Sequence, residues 1–363
     1  LYTARIARKE DPNFPNATLI DEEVLLPSET VERMYPQFSP DGKEVAFIED
    51  RSRLMVVNLA TKQVRQVTDG SLWYSTDGNF SYSWSPDGKW FTLECIGNRH
   101  DPYSDIGLVR ADGTGEVVNL TGSGYTSGSP RWVMDGNAIL FTTERYGMRN
   151  HASWGSLDDV MLVFVNQDAY DKFRLNKEDY ELQKELEKEQ DEAAEKKDDK
   201  KKDDKKSDKK KEEPAKDIEV ELDGIQDRIV RLTPNSSSLA SAILSKDGEQ
   251  LYYLSSFEGG FDMWKMDLRK HETKLLHKMD AGWGNMELDK EGKDLFVLGA
   301  GTLQKMDTGS DALKPVSYKA VMKMDRAAER EYMFDHVCKQ EKKRFYEVNM
   351  HGVDSVSYTH LRA

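Results

Sequence analysis

The 363-residue sequence predicts an all-β fold: a β-propeller of six or seven four-stranded blades, at least five of them visible, with a charged insertion in one blade and a C-terminal α-helix. Two observations predict it. Five turn segments recur at a nearly constant period, and four short strand-like runs fill that period.

The turn segments are Ser39-Pro40-Asp41-Gly42-Lys43, Ser85-Pro86-Asp87-Gly88-Lys89, Val133-Met134-Asp135-Gly136-Asn137, Ser245-Lys246-Asp247-Gly248-Glu249 and Asp289-Lys290-Glu291-Gly292-Lys293. The spacing is 46 residues from Asp41 to Asp87, 48 from Asp87 to Asp135 and 44 from Asp247 to Glu291; the long interval of 112 residues from Asp135 to Asp247 contains a charged run. Each segment has hairpin chemistry. Pro presets the first corner, Asp bonds its own backbone, and Gly supplies the positive φ that a tight connection needs. In the first repeat YPQFS enters the turn, EVAFIED leaves it, LMVVNL follows a polar loop and VRQVT follows ATKQ. Four strands in about 45 residues is the arithmetic of a propeller blade, whereas a sandwich has no reason to repeat its turn motif at a fixed period.

With the strands of a blade named A to D, the Asp-Gly turns and the C-to-D turns share one face, and the B-to-C loops share the other. The latter are residues 51–53, 97–103 (GNRHDPY), 145–154 (RYGMRNHASW) and 255–260 (SSFEGG), and they bring Arg51 and Arg53 to that face. The candidate substrate-binding residues there are Arg99, His100, Arg145, Tyr146, Arg149 and Trp154. Guanidinium forks match carboxylates and aromatic rings add contact area, which suits peptides. The competing reading is that these arginines are solvated and paired with local acids such as Asp101, Asp105 and Glu144.

The charged run extends the third blade. Its strand C is VMLVFVN, 160–166, and its strand D lies in DRIVRLT, 227–233, so residues 167–226 are inserted into one C-to-D turn. The first part, NKEDYELQKELEKEQDEAAEKK, has helix-forming composition with acids and lysines at pairing distance. The next, DDKKKDDKKSDKKKEEPAK, holds no apolar residue but Ala215, so it is expected to be disordered.

A formal charge of -14, from 52 Lys and Arg against 66 Asp and Glu, argues against a nucleic-acid partner, which would need a basic stripe. No apolar run reaches the length of a membrane-spanning helix, so no membrane partner is expected. Cys95 and Cys338 form no CxxC, and no metal site or cofactor is expected. A GxSxG elbow, an HExxH helix, a phosphate loop and a dinucleotide fingerprint are all missing from the sequence. Seven histidines are scattered, so spacing alone does not rule out a Ser, His and Asp arrangement.

The periodicity changes after residue 318, where the propeller ends. In 319–354, Met324, Ala328, Phe334, Cys338 and Phe345 fall on one face of an amphipathic helix, which either clasps the propeller or opens a further, helical domain. The helix runs into Arg344-Phe345-Tyr346 and Asn349-Met350-His351-Gly352-Val353-Asp354. This stretch resembles the segment opening the helical domain of tricorn-type serine peptidases, whose pattern is RFYDPxMHGVDW. Repeated SPDGK blades followed by such a helix are similar to that family over residues 1–354. The resemblance implies a peptidase degrading oligopeptides, with propellers that screen or channel substrate towards a separate catalytic core. The partners it implies are oligopeptide substrates, the chain's own downstream catalytic domains and a homo-oligomeric full-length protein, in the cytoplasm by the family archetype or alternatively in the periplasm. In that family the Ser-His pair, a PDZ-like domain and the nucleophilic serine follow the MHGVD segment. Thr359-His360 lies too close to His351 to be that pair, so this chain is expected to be inactive alone. Ser355 stands where the family has Trp, and residues 355–363 read as a foreign tail on a truncated frame with a cut N-terminus. The alternatives are a freestanding TolB-like binding module and the propeller of a prolyl-oligopeptidase-like enzyme.

Overall fold

The computed structural model describes residues 1–11, 13–14, 17, 19–27, 31–73, 80–97, 102–148, 155–198, 217–319, 324–347 and 349–352. The chain divides into two compact units, Leu1–Val316 and Ser317–Ala363. The first unit is the propeller. Among its described residues are five four-stranded antiparallel sheets and one two-stranded sheet. The two-stranded sheet is β1 (Tyr2–Ile6) with β2 (Ile20–Val24). Blade 1 is β3 (Arg33–Phe38), β4 (Glu44–Glu49), β5 (Arg53–Asn58) and β6 (Val64–Gln66). Blade 2 is β7 (Tyr82–Trp84), β8 (Trp90–Cys95), β9 (Asp105–Arg110) and β10 (Val118–Asn119). Blade 3 is β11 (Ser127–Val133), β12 (Ala138–Thr143), β13 (Asp159–Phe164) and β14 (Ile229–Arg231). Blade 4 is β15 (Ser238–Leu244), β16 (Gln250–Ser256), β17 (Phe261–Asp267) and β18 (Glu272–Ala281). Blade 5 is β19 (Gly284–Leu288), β20 (Asp294–Gly299), β21 (Thr302–Asp307) and β22 (Ala312–Pro315).

The second and third strands of a blade are apolar on both faces because they are covered on both sides. Along β4, Ala46 and Ile48 face blade 2, where they meet Tyr82, Trp84 and Phe91; Val45 and Phe47 point the other way, towards Leu25. The same division recurs down the stack. Ile139 and Phe141 pack on Ile106 and Leu108 of blade 2, while Ala138 and Leu140 pack on Leu251 and Tyr253 of blade 4. Ile243 and Tyr252 then pack on Leu295 and Val297 of blade 5. Each core layer between blades is therefore shared by two neighbours in the stack, and each fully buried aliphatic or aromatic side chain contributes about 1.5–3 kcal/mol.

Four of the five turn segments close as the sequence predicts. In blade 1 the Ser39 hydroxyl donates to Asp41 Oδ1 at 2.7 Å and accepts from the Glu44 amide, while Asp41 Oδ1 accepts from the Lys43 amide. Blades 2 and 4 repeat these bonds with Ser85 and Asp87 and with Ser245 and Asp247. In blade 5 Asp289 stands in the serine place, and its carboxylate accepts from the amides of Lys293 and Asp294. The third segment differs. It has no serine, Met134 and Asp135 both take positive φ (53° and 52°), and a Cβ on Gly136 would lie 2.3 Å from Ile218. The chain returning from the insertion packs on this turn, and within it the Asn137 side-chain amide donates to the Met134 carbonyl at 2.8 Å.

The insertion is more closely attached than its charge suggests. A short helix, α1 (Gln167–Arg174), precedes the expected one, α2 (Lys177–Asp198). Asn166 caps α1, and Tyr170 and Phe173 lie on Phe164 at ring separations of 5.7 and 5.0 Å. On the way back, Ile218 and Val220 join the layer between blades 2 and 3. Arg228, 4% exposed, gives its guanidinium protons to the carbonyls of Phe164, Asp223 and Glu221, tying both ends of the insertion together. Strand D begins at Ile229, after a 3₁₀ turn over Ile225–Arg228. The lysine-rich stretch expected to be disordered lies outside the described residues, apart from its flanks.

The second unit contains α3 (Arg326–Arg344), capped by Asp325 through the amides of Ala327 and Ala328. The helix thus starts after Met324, which the amphipathic pattern had included. Beyond it the chain folds back through a 3₁₀ turn, Met350–Gly352, that brings the Tyr346 hydroxyl to His351 Nε2 and the His351 ring 5.8 Å from that of Phe345.

If blades 3 and 4 share one core layer, Phe164→Ala should lower the unfolding free energy by about 3–5 kcal/mol, read from urea denaturation. Leu186→Ala, on the exposed side of α2, should stay within about 0.5 kcal/mol of the parent.

Candidate functional site

Charged side chains gather at the B-to-C loops and at the first strands of the described propeller. The first group lies on the B-to-C loop face, as the sequence predicts. Arg145 and Tyr146 are brought together there, with the Arg145 guanidinium 5.5 Å from the Tyr146 ring centroid. The loop passes close to Leu157 at Gly147, where a Cβ would collide with the Leu157 carbonyl at 1.7 Å, and Tyr146 is exposed. A second guanidinium, Arg231 of β14, sits 5.1 Å from the same ring. Arg231 was not visible from the loop sequences because it comes from the strand beyond the insertion. It is held by Asp159, the fully buried first residue of β13, at 2.8 Å. The same carboxylate accepts from the hydroxyls of Thr233 and Ser236, each at 2.7 Å.

Arg51 and Arg53, on the same face, follow the competing reading: Arg51 pairs with Glu32 at 2.9 Å and Arg53 with Asp50 at 2.5 Å. Arg99, His100, Arg149 and Trp154 lie outside the described residues.

The second cluster was missed by the sequence reading. First strands of successive blades meet on the inner side of the stack: Gln37 and Trp84 bond across blades 1 and 2, and the Ser241 hydroxyl accepts from the Met286 amide across blades 4 and 5. Several of these strands are bulged. The register of β11 shifts between Gly128 and Arg131, with Ser129 at φ 55°, and comparable shifts occur in β3 and β15. A bulge re-aims the side chains around it. Glu94 of blade 2 fixes the one in β11 by accepting from the amides of Ser129 and Ser81, and Gly128 leaves room for that carboxylate.

Beside this bulge is an inner cavity of about 220 Å³ whose polar lining comes from blades 3, 4 and 5: Ser129, Arg131, Asp158, Ser241 and Asn285. Arg131 and Asp158 both face it, yet neither forms an ion pair or side-chain hydrogen bond with any described residue. Burial lowers the Arg131 pKa from its ordinary value, opposed by the charge of Glu287. A guanidinium stays protonated even so. Burial, with the carboxylates of Glu144 and Asp159 nearby, pushes Asp158 up to about 6. An unpaired cation and a carboxyl that ionises near neutrality thus line one small cavity, an arrangement that can hold a ligand carrying both an anionic and a cationic end.

The superposition on a solved structure with a TM-score of 0.61 agrees with the architecture. Residues 326–360 match the family model of the tricorn protease C1 domain. This bears out the tricorn resemblance read in Arg344 to Asp354. Among solved structures, tricorn protease superposes with a TM-score of 0.61 and 10% identity, covering 90% of this chain and 30% of its own. At that identity the likeness speaks for the fold. An uncharacterized peptidase, YuxL, of Bacillus subtilis (strain 168) is 27% identical over 155 residues, 40% of this chain and 21% of the relative. The TolB-like protein of Agrobacterium tumefaciens superposes with a TM-score of 0.48 and 15% identity over 81% of this chain and 83% of its own. The chain spans about a third of the tricorn protease length and about a fifth of the Bacillus peptidase.

The raised Asp158 pKa has a defined sign. The folded chain keeps this proton to about pH 6, whereas an unfolded Asp releases it near 3.9. This group therefore lowers stability progressively as pH rises from about 4 to about 6. Asp158→Asn should remove that loss, so thermal melts across the pH series should show the variant gaining on the parent with rising pH. A constant difference from pH 4 to pH 7 would mean that Asp158 ionises like a solvated carboxyl.

Proposed function

We propose that this propeller is the substrate-screening part of a tricorn-like serine peptidase, admitting or channelling oligopeptides towards catalytic domains carried elsewhere in the longer protein. The observation that carries this reading is the order of parts along the chain: stacked blades lead into a segment that matches the tricorn protease C1 domain. The inner cavity supports it chemically. Arg131 is suited to a peptide carboxylate and Asp158, once ionised, to an ammonium, while Ser129, Ser241 and Asn285 can bond main-chain amides and carbonyls. On the loop face, Tyr146 flanked by Arg145 and Arg231 offers a flat contact for an approaching chain.

No nucleophile is assigned to the propeller, and its part in the reaction is selection by size and terminal charge. The test is calorimetric titration of the 363-residue chain with peptides of three to eight residues, together with a cleavage assay. Peptides with free termini should bind without being cut, and Arg131→Ala should weaken them about tenfold, equivalent to about 1.4 kcal/mol. Cleavage by the purified chain would overturn the non-catalytic assignment. Binding of a folded protein in preference to any free peptide would favour the freestanding TolB-like module instead.

A further inference from the structure

An outer cleft between blades 3 and 4 has a character opposite to the rest of this acidic chain. It is about 500 Å³ in volume and lies between β14, the turn after β17 and the link from α1 to α2. Its lining includes the cations Arg174, Lys177, Arg231 and Arg269 and the imidazole of His271, and no aspartate or glutamate. Its floor is apolar: Leu232, Met266 and Leu268 are 4–6% exposed.

The cations are not all committed to the fold. Arg231 is taken by Asp159. Arg269 donates to the carbonyls of Phe173 and Leu175 at the end of α1 and lies 3.8 Å from the Tyr180 ring, while its buried Nε finds no acceptor among the described residues. Among the described residues Arg174 makes no ion pair and lies 5.4 Å from the Tyr170 ring, and Lys177 has a solvent-exposed Glu181 at 3.7 Å. Two solvent-facing cations thus stand above an apolar floor. In a chain of formal charge -14, such a site is complementary to a ligand that is both anionic and apolar.

We propose that this cleft docks an extended segment of a partner protein in which acidic and apolar residues alternate. In an extended chain alternate side chains point to opposite sides, so leucine-like groups can enter the floor while neighbouring carboxylates reach the Arg174 and Lys177 rim. Strand β14 is the last in its sheet, with its outer edge unpaired by any described strand, so main-chain bonding to that edge is available to the same segment. This site is separate from the inner cavity and does not rest on the peptidase reading.

The probe is a peptide of alternating Glu and Leu, five to seven residues long and blocked at both ends, so that it has no terminal charge for the inner cavity to recognise. Calorimetry on the 363-residue chain should show binding that weakens as salt rises, through screening of the rim. The double variant Arg174→Glu with Lys177→Glu should reduce affinity at least about tenfold, and Arg131→Ala should leave it unchanged. Both exchanged residues are exposed, so the fold should survive, as a melt of the variant would verify. The proposal fails if the corresponding Lys and Leu peptide binds equally well, if the double variant binds like the parent, or if octanoate displaces the peptide at equal concentration.

Discussion

The structure depends on one constraint: every blade has two apolar faces and neither can be left uncovered. A sheet whose middle strands read Val45, Ala46, Phe47 and Ile48 has no solvent side, because alternate residues point to opposite faces and both are hydrophobic. Such a sheet is stable only as one of a stack. Stacking in turn leaves the ends of the blades and their first and last strands as the places where charge can be exposed. This is why polar side chains accumulate on β11, β15 and β19, and why the inner cavity is assembled from three blades at once.

The same constraint explains how blade 3 tolerates a long insertion. The turn between strands C and D lies outside the shared layers, so extending it costs loop-closure entropy, which grows only slowly with length. What must be preserved is the pairing of β14 with β13, and Arg228 secures it by spending a buried guanidinium on three carbonyls at the junction. The inserted helices rest on neighbouring blades by the same means that hold the blades together. Phe173 and Tyr170 extend the aromatic packing of Phe164, and Lys184 reaches Glu249 in the turn of blade 4 at 2.5 Å.

The parts of this architecture that were legible in the sequence are those set by local chemistry. Ser-Pro-Asp-Gly announces its turn because Ser, Asp and Gly each perform a task that does not depend on distant residues, and the flanking alternation gives the strands. Elements shaped by distant contacts were not legible. The Val133 to Asn137 segment looks like its counterparts but lacks their serine, takes a different backbone and packs against Ile218, a residue more than eighty positions away. Residues 167–174 were absorbed into a charged run, although their Tyr and Phe spacing marks a helix with an apolar side. Of the candidate site, the pairing of Arg145 with Tyr146 followed from adjacency in one loop. Arg231, Arg131 and Asp158 come from three separate stretches, and only the stacking order of the blades brings them to their places; a count of bulge-prone first strands around Gly128 could have pointed to Arg131.

The distribution of charge then separates the cations paired within the fold from those that are not. Arg33, Arg65 and Lys265 each have a carboxylate within 2.9 Å and are consumed by the fold. Arg131 and Arg174 have none among the described residues, although acids outnumber bases across the chain by 66 to 52 and the insertion borders a cavity of about 1020 Å³ lined largely by carboxylates, among them Asp168, Asp171 and Glu219. In a protein with surplus acid, a cation left without a carboxylate is not explained by scarcity of partners. Arg131 lies beside the bulge in β11, and Arg174 ends α1 at the rim of the outer cleft. Each lies beside a cavity with room to admit an anion.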